Sequence, residues 1–113
     1  MQLKPGASLV GVKWEMFIAS ILLEAVWEAE GYRLIITSGT DGKHAPDSLH
    51  PYGYALDYRN RGMTLDVRAR IKVRAEFVLG KNYQVIEEAT HFHVEYDPTR
   101  KGIAGLPADA SRV

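Results

Sequence analysis

Three of the four histidines in the chain lie in two short segments whose residue types suit metal binding. The first segment, SLHPYGYALD, places an imidazole (His50) and a carboxylate (Asp57) seven residues apart. Imidazole nitrogen and carboxylate oxygen are the common non-sulfur ligands of zinc, and catalytic zinc sites combine three protein ligands with an open fourth position. The first segment therefore offers two of the three ligands that such a site needs.

Two small residues, Gly53 and Ala55, separate this histidine from this carboxylate. Gly53 lets the backbone turn or approach another segment closely, and Ala55 leaves room beside the carboxylate. The apolar residues of YALDY alternate with Asp57, a pattern typical of a strand that carries Asp57 on its other face. We therefore expect His50 in a loop and Asp57 on a strand.

The second segment is the HFH at His91 to His93, within the longer stretch YQVIEEATHFHVEY. Residues two apart on a strand share a face, so in a regular strand both histidines point the same way as Glu87 and Glu95. A third metal ligand is therefore available. The alternative is an ordinary polar face with no metal.

The two segments together match the pattern S-x-H-x-x-G-x-A-x-D followed by H-x-H, which is met in full by Ser48, His50, Gly53, Ala55 and Asp57 and by His91 and His93. This pattern resembles that of the zinc D-alanyl-D-alanine carboxypeptidase and L-alanyl-D-glutamate endopeptidase family, whose fold is shared with the hedgehog signalling domain. The likeness is greatest to small phage and prophage members, which have a similar SG-x-DG-x-H lead-in (Ser38 to His44) and a similar HVEYDP ending (His93 to Pro98).

The resemblance implies that His50, Asp57 and His93 hold Zn²⁺, with His91 close by. It also implies a zinc-dependent hydrolysis of an amide bond in the stem peptides of bacterial peptidoglycan. His91 would steady the oxyanion through a hydrogen bond or orient a ligand. In a variant of this hypothesis, His91 is a fourth protein ligand and the site is closed.

One position departs from the family pattern. The peptidases usually place an acidic general base three residues before the last histidine ligand, and here that position is Thr90, whose hydroxyl cannot take a proton from water at neutral pH. Hedgehog-type members carry a glutamate six residues before that histidine, which matches Glu87. Glu88 is the adjacent alternative if the strand bulges. We therefore predict Glu87 or Glu88 as the base.

Substrate contacts are predicted around the first segment. Family members often use a loop arginine to bind the substrate's carboxylate, but none occurs here between Arg33 and Arg59. Lys43, or Arg59 just beyond Asp57, is expected to supply the positive charge, although both also fit ordinary surface positions. Ser48 is expected to brace the loop through local backbone bonds.

A second function from a different class is a zinc-stabilised structural or cell-wall-binding domain of a phage virion that has lost catalytic turnover. Thr90 is the residue that favours it, because the family's usual base is missing there. Zinc content combined with peptidoglycan hydrolysis separates the two hypotheses.

Length and composition limit what the chain can do. Its 113 residues predict one domain with an irregular tail over 97–113, and we expect a monomer. Fourteen basic residues balance fourteen acidic ones, so no net field attracts nucleic acid or anionic lipid. Cysteine is absent, which excludes disulfides and thiolate zinc ligands.

No membrane or export segment is predicted. The longest apolar run, Met16 to Leu23, is too short for a bilayer span, and the start MQLKPGASLVG lacks the apolar core of a signal peptide. We expect synthesis in the cytoplasm and action at the bacterial cell wall, after holin-dependent release or on a virion.

Two helices are predicted from apolar residues spaced three and four apart. The first runs from about Val12 to Glu30, and its predicted buried stripe is Trp14, Ile18, Ile21, Leu22, Ala25 and Val26; Trp14 and Trp27 are both expected in the core. The second begins after an N-cap at Thr64 and ends at Gly80, and its predicted buried side is Leu65, Ala69, Val73 and Phe77.

Four strands complete the prediction. They are Tyr32 to Thr37, the segment around Asp57, Tyr83 to Glu88 and His91 to Tyr96, while residues 1 to 10 form an extended lead. The order of elements predicts an α+β domain with helices on one face of a mainly antiparallel sheet. The metal ligands would then line a cleft on the sheet's open face.

Overall fold

The computed structural model describes residues 1–42 and 48–98, which contain two helices and five strands. The helices are α1, Trp14–Ala29, and α2, Leu65–Leu79. The strands are β1, Gln2–Leu3; β2, Ile35–Ser38; β3, Ala55–Arg59; β4, Tyr83–Glu87; and β5, His91–Tyr96. A short 3₁₀ turn, His50–Tyr52, precedes β3. The predicted α+β class is confirmed.

The five described strands form one mixed sheet in the order β1-β2-β3-β5-β4. All neighbours run antiparallel except β1 and β2, which are parallel. The lead predicted as merely extended thus contributes an edge strand, because the backbone N–H of Gln2 donates to Leu34 and that of Lys4 donates to Ile36. Strand β5 pairs with both β3 and β4, so it is an interior strand of the sheet.

Both helices pack on the same face of this sheet. Met16, Leu23 and Trp27 of α1 and Ile71 and Ala75 of α2 belong to one buried cluster with the apolar residues Ile36, Leu56, Tyr58, Val85, Phe92 and Val94 of the strands. The Trp27 ring lies 5.9 Å from that of Tyr58 and 5.6 Å from that of Phe92. The opposite face of β3 and β5 is left for polar side chains.

The predicted buried stripe of α1 is wrong. The residues that face the sheet are Met16, Ala19, Ser20, Leu23, Val26 and Trp27, whereas Trp14 is 66 % exposed and Ile21 is 65 % exposed. Of the predicted stripe only Val26 is buried. The cause is that α1 is apolar on nearly all sides, so a spacing of three and four fits two opposite faces.

The predicted buried side of α2 is also wrong, although its ends are correct. Leu65, Val73 and Phe77 are exposed, and the buried residues are Ile71, Ala75 and Leu79. The predicted N-cap is confirmed, since the Thr64 side chain accepts a hydrogen bond from the Val67 backbone N–H at 3.2 Å.

In the described ranges, neither helix combines the length and apolarity that crossing a bilayer would need.

Candidate metal centre

Pairing between β3 and β5 brings two of the predicted ligands together. Asp57 lies directly opposite His93 in the antiparallel register, so both side chains project from the face that the helices leave free. His50, at the start of the 3₁₀ turn before β3, reaches the same point from the side. His50 is 2 % exposed and Asp57 is 7 % exposed, so the group is largely shielded from water.

The three donor atoms form a nearly equilateral triangle. His50 Nε2, His93 Nδ1 and Asp57 Oδ1 are 3.1 Å from one another along every edge. A tetrahedral zinc ion with bonds of about 2.0–2.1 Å separates its ligand atoms by roughly 3.3–3.4 Å. The triangle therefore needs to open by only a few tenths of an ångström to accept such an ion, and the group can hold a metal.

The remaining ring nitrogens are already engaged, which fixes the tautomers. His50 Nδ1 lies 2.8 Å from the Gly39 carbonyl oxygen, to which it can only donate, so the lone pair of this imidazole is on Nε2. His93 Nε2 lies 2.8 Å from a carboxylate oxygen of Glu95 and donates to it, so Nδ1 is the nitrogen that faces the centre, and it carries the lone pair when the ring is neutral. His50 Nε2, His93 Nδ1 and a carboxylate oxygen thus point at a common centre, which a positive charge stabilises: the Nδ1 proton of His93 in the metal-free protein, or a metal ion in its place.

The electrostatics agree with a cation-binding centre. Burial opposes the charge on Asp57, but hydrogen bonds with His50 and His93 outweigh it and hold the pKa of this carboxyl well below its usual range. Burial likewise opposes protonation of His93, but hydrogen bonds with Asp57 and Glu95 raise its pKa to about 9. The pocket thus stabilises an ionised Asp57 together with a positive neighbour.

A tight turn after β2 positions the carbonyl that binds His50. Asp41 Oδ1 accepts the backbone N–H groups of Ser8 at 2.7 Å and of Gly39 at 2.8 Å. These bonds outweigh the burial of the carboxylate and lower the pKa of Asp41. A Cβ on Gly39 would stand 2.1 Å from the Ser8 carbonyl oxygen, so only glycine fits. The turn therefore holds the Gly39 carbonyl in place.

Gly53 performs both roles expected of it. Its φ of +81° ends the 3₁₀ turn in the left-handed region that favours glycine, and its N–H donates to the His50 carbonyl. A Cβ there would also stand 2.1 Å from the Gly11 carbonyl oxygen. The turn that carries His50 is thereby packed against the segment leading into α1.

His91 lies beside the triangle and outside it. Its Nε2 is 3.7 Å from the second carboxylate oxygen of Asp57, and its Nδ1 is 3.1 Å from the Thr90 hydroxyl. The side chain is 30 % exposed, compared with 16 % for His93. His91 thus has an opening to solvent that the three grouped residues lack.

The structure does not bring Glu87 to the ligands. Glu87 pairs with Phe92, whose ring is in the helix-side core, and its carboxylate is 4.0 Å from Arg68 of α2. The face prediction for Glu87 is therefore wrong: it counted Glu87 and His93 along one strand, but a bend over residues 89–90 separates β4 from β5. Glu88 is exposed at this bend, where its backbone binds His91 and Asn60. A catalytic role for Glu88 stays a prediction.

The predicted substrate contacts are distributed differently. Arg59 pairs with His91 and so shares the face of Asp57, and its buried Nε has no hydrogen-bond partner among the described residues. The Ser48 hydroxyl accepts the His50 backbone N–H at 3.1 Å, which is the bracing role expected of it. Lys43 lies outside the described residues.

Sequence reasoning missed three residues that support the ligands: Gly39, Asp41 and Glu95. Glu95 had been assigned to the His93 face without a role, although its even spacing from His93 was a usable signal. Gly39 and Asp41 act through a turn whose contacts with Ser8 span more than thirty residues. Both residues belong to the SG-x-DG-x-H lead-in that was noted only as part of the resemblance and given no role; their contact with Ser8 depends on the fold.

Comparison of the chain with protein-family models, with curated proteins and with solved structures found no match in any of the three. The chemical interpretation therefore depends on the geometry of the grouped residues.

Proposed function

We propose that the protein is a zinc-dependent peptidase that hydrolyses an amide bond in peptidoglycan stem peptides, with a fold of the hedgehog and D-alanyl-D-alanine peptidase type. The observation that carries this proposal is the 3.1 Å triangle of His50, Asp57 and His93, in which both imidazole lone pairs converge on one point. Zinc suits this donor set because it prefers nitrogen and oxygen ligands in a tetrahedral arrangement.

When bound, zinc would lower the pKa of a coordinated water toward neutrality and polarise the scissile carbonyl. With three protein ligands, a fourth position is left for that chemistry. Glu95 and the Gly39 carbonyl keep the two imidazoles in the tautomers that binding requires.

The proton acceptor proposed here is His91. It stands next to Asp57, is partly open to solvent and lies on the ligand face, whereas Glu87 lies on the other side of the sheet. A neutral imidazole can take a proton from the attacking water and deliver it to the leaving amine near neutral pH. Glu88 remains the carboxylate alternative.

Arg59 is the proposed contact for a substrate carboxylate. It follows Asp57 by two residues on β3, and a buried guanidinium nitrogen without a described partner suits an anionic ligand. Stem peptides are short and anionic, which is the charge that such a group would select.

The test combines metal analysis with hydrolysis of purified peptidoglycan. We expect one zinc per chain and release of amines that a chelator abolishes. Asp57→Asn should lose both zinc and hydrolysis. His91→Gln should keep zinc and lose most hydrolysis, whereas Glu87→Gln, the matched control on the opposite face, should keep both. If His91→Gln hydrolysed normally, the proton acceptor would be another group.

A zinc-stabilised binding domain without turnover is the second candidate function. Two observations favour it: Thr90 occupies the usual base position, and Glu87 is turned away from the ligands. A chain that binds one zinc and peptidoglycan, yet releases no amines at any metal concentration, would establish this candidate in place of the peptidase.

A further inference from the structure

The outer side of α1 is a continuous apolar surface. Opposite the side that packs on the sheet, five large residues are exposed by 40–66 %: Trp14, Phe17, Ile18, Ile21 and Leu22. We call them the α1 ridge. A helix that is apolar on all sides is normally buried on all sides. The exposed side of α1 therefore requires a partner.

A second apolar row lies on the outer side of α2. Leu65, Ala69, Val73 and Phe77 recur every four residues opposite the buried Ile71 and Ala75, and Leu65 is 79 % exposed, Val73 66 % and Phe77 86 %. We call them the α2 ridge. Beside this row, Ala69, Arg70, Val73 and Arg74 line a shallow depression. Rows with a four-residue repeat are those that interlock when helices pack across one another.

The area of the two ridges is that of an interface. At roughly 100 Å² for each large apolar side chain, the eight large residues present on the order of 800 Å². The largest apolar patch on a typical monomer is about 300–600 Å², and one partner of a standard interface contributes about 800 Å².

The charges on the two helices favour a second copy of this chain as the partner that covers the ridges. Within Trp14–Ala29, α1 carries Glu15, Glu24 and Glu28 and no basic residue. Within Leu65–Leu79, α2 carries Arg68, Arg70, Lys72 and Arg74 against Asp66 and Glu76, and it stays the more basic helix although Arg70 pairs with Glu30 and Lys72 with Glu76. An acidic helix meets a basic one favourably, whereas two copies of α1 would repel each other. A membrane surface fits less well, because α1, which carries the larger ridge, has only acidic charged residues, whereas helices that lie on membranes carry Lys and Arg beside their apolar side.

We propose that the protein forms a twofold homodimer in which the α1 ridge of each copy packs on the α2 ridge of the other. A twofold axis makes this contact twice, so both apolar ridges of both copies are covered. The candidate metal ligands project from the opposite face of the sheet, so this dimer does not cover them. This proposal differs from the initial expectation of a monomer.

The test is the sedimentation mass of the full chain, with the fold checked by circular dichroism. The wild-type chain is expected at twice the mass of one chain. Ile21→Arg and Val73→Glu should each halve that mass, since each places a charge in the interface. Val10→Glu, at a position 82 % exposed outside the helices, is the matched control and should remain dimeric.

Mixing the two variants tests the pairing itself. A mixture of Ile21→Arg and Val73→Glu chains should recover the dimer mass, because one contact then joins the arginine introduced on α1 to the glutamate introduced on α2, and the other contact is wild-type. A dimer that survives Val73→Glu but not Ile21→Arg would mean that α1 pairs with α1. A wild-type monomer, including one that binds neutral phospholipid vesicles, would overturn the proposal.

Discussion

The direction of each imidazole's second nitrogen, the one that points at the centre of the group, decides what the grouped residues can do. His50 donates from Nδ1 to a backbone carbonyl and His93 donates from Nε2 to Glu95, so opposite nitrogens of the two rings are left for the centre. That His50, Asp57 and a histidine of the HFH would come together was predictable from residue types and spacing, and the resemblance singled out His93. The tautomers were not, because they depend on Gly39 and Glu95, which meet the rings only in the folded chain.

Glu95→Gln tests the support of His93. The amide oxygen can still accept from His93 Nε2, but the negative charge that strengthens this imidazole as a ligand is lost. Zinc affinity, measured by competition with a chromophoric chelator, should fall by about 10-fold or more, in the range typical of such supporting residues. Glu87→Gln removes the same charge on the opposite face and should leave affinity unchanged. Equal affinities for both variants would contradict this role of Glu95.

Gly39→Ala tests the support of His50. The added Cβ would stand 2.1 Å from the Ser8 carbonyl oxygen, so the turn must move and carry the Gly39 carbonyl with it. We expect a loss of stability on the order of 1–3 kcal/mol, together with weaker zinc binding. Gly62→Ala is the control, since its φ of +87° disfavours alanine while the space around it is open, so it strains the backbone without a clash. It should lower stability without changing zinc affinity, as measured by urea unfolding and metal titration.

At the scale of elements, the predictions of which residues share a face are correct within a single regular strand. Within β5, positions 91, 93 and 95 share a face as expected, and β3 carries Asp57 opposite the core. The two-residue alternation of faces does not continue across the bend at residues 89–90, so Glu87 lies on the opposite face from His93. The predicted buried sides are wrong in the helices, because two apolar sides satisfy the same spacing and only the sheet determines which side is buried.

Leu23→Ala tests the corrected orientation of α1. Leu23 is fully buried against the sheet, so truncation should cost about 2–5 kcal/mol of unfolding free energy. Glu28→Ala, on the exposed side of the same helix, should change stability by less than about 0.5 kcal/mol. Urea unfolding followed by circular dichroism measures both. Comparable losses would mean that the buried side of α1 is not the one described.

For the whole molecule, the candidate metal centre joins segments that are far apart in the chain. His50 and His93 are separated by 43 residues, and they meet only when β3 and β5 are paired. Sequence patterns could name the residues on each segment, but the convergence arises from sheet order, in which β5 lies between β3 and β4. The unfolded chain has no such site, so a bound ion must stabilise the fold.

Zinc is therefore expected to raise the melting temperature. An ion that binds only the folded chain adds about 2.7 kcal/mol at a free concentration 100 times its Kd, and each kcal/mol raises the midpoint of a domain of this size by roughly 4–8 °C. The midpoint of thermal unfolding should rise with added zinc and fall back to its original value when a chelator is added. Asp57→Asn should show no rise, because it removes the charged donor of the triangle. Magnesium, which prefers six oxygen ligands, should have little effect. If zinc left the midpoint of the wild-type chain unchanged, the three side chains would be a hydrogen-bonded group, and both proposed zinc functions would be excluded.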